Sequence, residues 1–150
     1  MTDIADKPPR LATWLSVAGL LPALSGLVLA WHAPGAAFTG QMGVLLYASS
    51  VLAFIGGLWW GLALAGRAGA RRGLVLVAGV TLQLASLAVV LRAGQTGLPL
   101  ALGGIALLLL GTGLVDLNLA RSGAIGIGWL RLRLVLSAGL ALIVVLTALA

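Results

Sequence analysis

The sequence lacks several residue types on which enzymes and metalloproteins rely. It contains no cysteine, one histidine and three acidic residues among 150. The lack of cysteine excludes disulfides, thiolate nucleophiles, iron–sulfur clusters and cysteine-based zinc sites. We expect His32 and Asp116 on opposite sides of a bilayer, which excludes a serine–histidine–aspartate arrangement. The chain is therefore not expected to be an enzyme or to hold a metal or cofactor.

Charge is also scarce. Only 8% of the residues are charged, 61% are hydrophobic and the mean hydropathy is +1.18, whereas soluble domains are about one quarter charged. A soluble domain is excluded. A net charge of +6 would suggest nucleic acid in a soluble protein, but basic residues in the connections of a membrane protein report its orientation. The expected partner is the lipid bilayer and not nucleic acid.

Long apolar stretches predict an all-α polytopic integral membrane protein. A polar cytoplasmic tail (1–10) precedes a transmembrane domain (11–150), because about 20 apolar residues span the hydrocarbon of a bilayer. Short connections make successive helices antiparallel, as in an up-down five-helix bundle. Pro22 is expected to kink the first helix. The predicted spans are 11–31, 42–65, 73–91, 98–119 and 132–150.

The basic residues predict an orientation. Of the nine lysines and arginines, all but Arg92 fall in the tail, in the second or fourth connection, or at the start of the last helix. The positive-inside rule then places the N-terminus in the cytoplasm and the C-terminus outside. We expect a multi-pass protein of a cell inner membrane, the plasma membrane of a bacterium.

The most distinctive string is F-I-G-G-L-W-W-G at residues 54–61. Gly57 and Gly61 have GxxxG spacing, which lets another helix approach closely. One interpretation is helix packing within the bundle. The other is a groove for a lipid tail or flat apolar ligand, with Phe54 and Trp60 as walls and Gly56, Gly57 and Gly61 as its floor.

At this string the chain resembles a known family. Residues 46–64, L-Y-A-S-S-V-L-A-F-I-G-G-L-W-W-G-L-A-L, are similar to the F-x-G-G-x-x-W-G-L-A signature of domain-of-unknown-function family 3429. Residues 15–22 (L-S-V-A-G-L-L-P) and 129–133 (W-L-R-L-R) resemble two further segments of that family. Trp59 stands where the family often has His or Arg. The resemblance implies a small multi-helix membrane protein, with a mitochondrial relative in animals, and implies no activity.

The tryptophans are all expected near the ends of spans. Indole rings combine an apolar body with one N–H donor and so favour the level of the lipid headgroups. We therefore predict an aromatic belt. Its members are Trp14, Trp31, Trp59, Trp60 and Trp129.

Asp116 is the one acidic residue outside the N-terminal tail. A carboxylate near hydrocarbon is a functional candidate because its ionised form is costly there. The favoured interpretation is a salt bridge to Arg121, Arg131 or Arg133 at the inner face. The alternative is a proton-accepting or cation-binding carboxylate.

A further basic group is formed by Arg67, Arg71 and Arg72. These side chains are candidates for binding anionic phospholipid headgroups, although topology alone would also require them.

Three functions are compatible with these observations. The first is a non-enzymatic component that binds a lipid or a hydrophobic ligand, or that serves as an accessory to a membrane-protein partner. A homo-oligomer is compatible with this function. The second is a small oligomeric or proton-coupled transporter that uses Asp116. The third is a five-helix ligand sensor similar in shape to the tryptophan-rich sensory proteins.

Overall fold

The computed structural model describes residues 8–33 and 35–150, and this part of the chain contains helices and no strand. Two short helices, α1 and α2, share the first span, so five helices are long and apolar enough to cross a membrane. The predicted all-α, five-span architecture is confirmed. The helices are α1 (Arg10–Ala18), α2 (Leu21–His32), α3 (Ala37–Leu64), α4 (Arg72–Thr96), α5 (Leu98–Arg121) and α6 (Ile127–Ala148), with a 3-10 turn at Gly69–Arg71 before α4.

Several helices extend beyond the apolar stretches. The third helix begins at Ala37, α4 continues to Thr96 and α6 begins at Ile127. Hydropathy marks only the part of a helix that matches hydrocarbon, whereas the backbone hydrogen bonds continue through polar residues at the membrane surface. Of the predicted tail, residues 1–7, including Lys7, lie outside the described residues, and α1 starts at Arg10.

The first span is broken between α1 and α2. Pro22 has no N–H to donate to the preceding turn, and α1 accordingly ends at Ala18. The break leaves the carbonyl of Gly19 free to accept a hydrogen bond from the Tyr47 hydroxyl of α3. A side chain of a neighbouring helix thus satisfies a backbone group that has no water available in a membrane.

The third helix is the centre of the bundle. It packs against α2, α4, α5 and α6, and α2 closes the ring by contacting α6. Glycines permit two close crossings. A Cβ at Gly56 would lie 2.8 Å from the carbonyl oxygen of Gly79 in α4, and one at Gly40 would lie 2.5 Å from that of Gly26 in α2.

The connections are short enough to keep successive helices side by side. A single residue, Gly97, separates α4 from α5, and its φ of +87° belongs to the region that favours glycine. The start of α1, the α3–α4 connection and the α5–α6 connection lie at the same end, which we call the basic end. At the opposite end, Trp31 and Gln41 donate hydrogen bonds to the carbonyls of Leu146 and Thr147 in the last turn of α6.

The outer surface of the bundle is apolar. On α5, the leucines at 100, 107, 110 and 114 are all more than half exposed. Such a continuous apolar surface is unfavourable in water but suits lipid. These five helices fit a multi-pass membrane protein.

Candidate functional site

A buried carboxylate joins three helices near the basic end. Asp116 of α5 is 2% exposed. Its Oδ2 accepts a hydrogen bond from Nε of Arg133 at 2.8 Å, and its Oδ1 accepts one from Nε1 of Trp59 at 2.8 Å. Both carboxylate oxygens are therefore occupied by donors from α3 and α6.

Helix order explains this meeting. The α5–α6 connection is short, so the last turns of α5 face the first turns of α6, which places Asp116 opposite Arg133. Trp59 lies in the last part of α3, at the same end. Helical spacing puts Leu109, Thr112 and Asp116 on one buried face of α5.

From the sequence, Arg121, Arg131 and Arg133 were all candidate partners of Asp116. The structure brings Arg133 to it, and Arg121 and Arg131 are exposed and form no salt bridge with the part of the chain that is described. Arg131 differs because it is two residues from Arg133, which turns its side chain to the other side of α6.

Trp59 does not face the lipid headgroups as a member of the predicted aromatic belt would, because this side chain is 1% exposed. The sequence held a signal for this: Leu52, Ile55, Trp59 and Ala63 follow helical spacing and form the buried face of α3. Trp60, on the adjacent face, is exposed and donates to the carbonyl of Leu76 at 2.9 Å.

Arg133 is not fully satisfied. The residue is 8% exposed, yet its Nη2 has no hydrogen-bond partner among the described residues. Buried donors are nearly always paired, so an orphan of this kind calls for an explanation. The ion pair with Asp116 neutralises the charge of the guanidinium but leaves this N–H group unused.

Arg133 lines a cavity of about 460 Å³ between α1, α3 and α6. Its walls are mainly apolar and include Phe54, Trp129 and Leu136. Phe54 and Leu15 line the cavity and are 70% and 65% exposed, so the cavity is open at the surface of the bundle. Ser137, one turn after Arg133, adds a hydroxyl to the same wall.

The first helix borders this cavity without being anchored in the core. None of the residues of α1 is buried, and it makes only a small contact with α6 among the described residues. A segment with so little buried surface can move at low cost in free energy. The cavity therefore has one wall that can be displaced.

The predicted groove requires a correction. Of its five residues, Phe54 lines the cavity, Gly56 packs on α4 and Trp60 lies on the α4 side. A Cβ at Gly57 or Gly61 would meet no atom of another helix within 4 Å, so the GxxxG crossing predicted inside the bundle is wrong. Each residue turns a helix by about 100°, and only Gly56 shares the buried face.

The basic end holds a second pocket, of about 440 Å³, lined by Arg67, Arg71 and Arg121. Arg67 Nη2 donates to the carbonyl of Ala124 at 3.3 Å, and Arg71 Nη1 donates to Oδ1 of Asn118 at 2.5 Å. The first bond joins the α3–α4 connection to the α5–α6 connection, and the second joins the α3–α4 connection to the last turns of α5. Arg72, the third predicted headgroup residue, is exposed and does not line this pocket.

Metal ligands do not cluster in the described ranges: no group of three or more His, Cys, Asp or Glu residues could hold a metal ion there.

Comparison with known proteins gives the family. The model of the family described as "Protein of unknown function (DUF3429)" matches residues 8–149. The chain belongs to this family. Comparisons with curated proteins and with solved structures found no significant match.

Proposed function

We propose that this member of the DUF3429 family is a non-enzymatic integral membrane protein that binds an apolar or amphipathic molecule in the cavity between α1, α3 and α6. The observation that carries the proposal is the cavity itself, which combines apolar walls with one buried, incompletely satisfied arginine. Sites for small molecules are typically concave, about 300–1,000 Å³ in volume and mostly apolar, with a few polar groups that fix orientation.

The position of the cavity supports a ligand that arrives from the membrane. Its rim residues Leu15 and Phe54 are exposed at the bundle surface, where lipid would surround the protein. Displacement of α1 would widen the entrance, since that helix buries none of its residues. The core formed by α3, α5 and α6 would stay intact because Asp116 holds these helices together.

Under this proposal the basic end faces the cytoplasm of a bacterial cell, in line with the positive-inside rule. The pocket around Arg67, Arg71 and Arg121 then lies at the level of anionic headgroups, which attract clustered arginines. These contacts would orient the protein, and the cavity would bind the ligand.

Ser16 offers a way to test the cavity. It lines the cavity from α1, whereas its neighbour Val17 is exposed and does not. We expect Ser16→Phe to fill the space and lose a small molecule that co-purifies in mild detergent, with Val17→Phe as the matched control that keeps it. Mass spectrometry of the purified proteins measures the bound species.

Three results would separate the possibilities. A stoichiometric small molecule lost only in Ser16→Phe supports the proposal. Equal occupancy in both variants contradicts it. A stoichiometric membrane protein in place of a small molecule would favour an accessory role, in which a partner covers the cavity.

A further inference from the structure

We propose that the ligand of the α1–α3–α6 cavity is a neutral amphiphile whose polar end presents a carbonyl oxygen to Arg133 and Ser137. This inference rests on the proposed function and names the class of molecule that the cavity takes.

Two unused donors lie one turn apart on α6. Arg133 lines the cavity, is more than nine-tenths buried, and leaves Nη2 without a partner in the described part of the chain. Ser137 is 9% exposed and lines the same cavity, and its hydroxyl makes no hydrogen bond to another described residue. Residues four apart share one helix face, so both side chains lie on the cavity side of α6. Nη2 is itself fully buried, so a ligand reaches it once the Arg133 side chain shifts toward the cavity. The nearby Trp59 N–H is already taken by Asp116.

The charge balance decides which acceptor fits. Asp116 already neutralises Arg133 at 2.8 Å, so the pair carries no net charge. A carboxylate or phosphate ligand would add an uncompensated negative charge to a site whose walls are mainly apolar, which is costly. A carbonyl oxygen accepts the N–H and hydroxyl donors and adds no charge.

The remaining walls fit the apolar part of such a molecule. Leu15, Phe54, Leu136 and Leu140 line the cavity, and Leu15 and Phe54 are exposed at its rim. An acyl chain or alkylated ring would lie against these side chains with its free end toward lipid. Burial of its apolar surface supplies most of the affinity, and the carbonyl supplies orientation.

Brominated compounds provide the test in a variant whose exposed tryptophans, Trp14, Trp31 and Trp60, are replaced by phenylalanine. Bromine quenches tryptophan fluorescence on contact, and Trp129 lines the cavity. The probes are the methyl ester of brominated stearic acid, the brominated stearate ion and brominated octadecane, added to purified protein in mild detergent. We expect the ester to bind about tenfold more tightly than the hydrocarbon, as one hydrogen bond to a charged donor allows. The stearate ion should bind more weakly than the ester.

Arg133→Lys tests the donor. Lysine retains the charge beside Asp116 but lacks the planar fork that supplies the second N–H group. Most of the tenfold preference for the ester should disappear while the hydrocarbon still binds. Arg131→Lys, on the exposed side of the same helix, is the matched control and should keep the preference. Ser137→Ala is a second variant, expected to reduce the preference about threefold.

The outcomes separate this inference from the proposed function. Equal affinity for ester and hydrocarbon, or tightest binding of the stearate ion, overturns the carbonyl assignment and leaves a binding cavity. Failure of all three probes to quench overturns both. A short-chain alkyl benzoquinone is added as a fourth probe. If it binds more tightly than the ester, the carbonyl of the natural ligand belongs to a ring ketone. If it binds more weakly, that carbonyl belongs to an acyl ester.

Discussion

Removal of the Asp116–Arg133 pair should show strong coupling between the two residues. Asp116→Leu leaves a buried guanidinium without its counter-ion, and Arg133→Met leaves a buried carboxylate. Breaking a buried pair from one side costs about 3–5 kcal/mol. If the residues acted independently, the double variant would lose about 6–10 kcal/mol of unfolding free energy.

The structure predicts a much smaller loss for the double variant. With both charges gone, the remaining defect is the indole N–H of Trp59, which donates to Asp116 in the native protein. An unsatisfied buried donor costs about 1–3 kcal/mol, and interhelical hydrogen bonds within membranes average about 0.6 kcal/mol. The double variant should therefore be more stable than either single variant.

Titration with sodium dodecyl sulfate in mixed micelles, followed by far-ultraviolet circular dichroism, measures these free energies. Arg131→Met is the control, because that arginine is exposed and should cost less than about 0.5 kcal/mol. A double variant whose loss equals the sum of the two single losses would refute the reasoning.

The other predictions concern packing, orientation and proton transfer. Gly56→Leu should cost about 1–3 kcal/mol of stability by pushing α3 away from α4, and Gly57→Leu should cost almost nothing. Thermal unfolding in detergent compares the two variants, and a larger loss for Gly57→Leu than for Gly56→Leu would contradict the packing. Reporter fusions after Arg72 should report the cytoplasm and fusions after Gly97 the outside, and a periplasmic signal at Arg72 would overturn the orientation. Asp116→Asn should change no proton flux in liposomes, since both oxygens are occupied in the native protein; loss of a measurable flux in a stable variant would favour a transporter.

The fold could be predicted because the positions of the membrane-spanning helices depend on the order of apolar and polar residues along the chain. Apolar runs separated by short connections determine the helices, and Pro22 determines the break in the first span. The ends of the helices were less predictable, as the start of α6 at Ile127 shows. Hydropathy fades at the membrane surface, whereas backbone hydrogen bonding continues.

The site depends on which way each helix faces, and the sequence constrains this less well. Spacing alone selected Gly57 and Gly61, but the buried face of α3 contains Gly56 and Trp59. Depth in the membrane alone placed Trp59 at an interface. Depth in the membrane combined with the 3.6-residue helical period would have placed Gly56 and Trp59 on the buried face of α3, because Leu52, Ile55, Trp59 and Ala63 define that face.

The cavity had no sequence signal. It is bordered by α1, none of whose residues is buried, and its shape depends on how the broken first span packs against α3 and α6. The orphan Nη2 of Arg133 depends on the same geometry. Neither the cavity nor the unpaired Nη2 can be predicted from hydrophobic periodicity, because each depends on the relative positions of three helices.

The most direct measurement of the central claim is photo-crosslinking with a diazirine-bearing fatty ester, with the labelled residues mapped by peptide mass spectrometry. Binding in the cavity predicts labels on Phe54 and Leu136, which line it, and loss of these labels in Ser16→Phe but not in Val17→Phe. Labels spread evenly over lipid-facing residues such as Leu107, and unchanged by Ser16→Phe, would contradict a ligand-binding cavity.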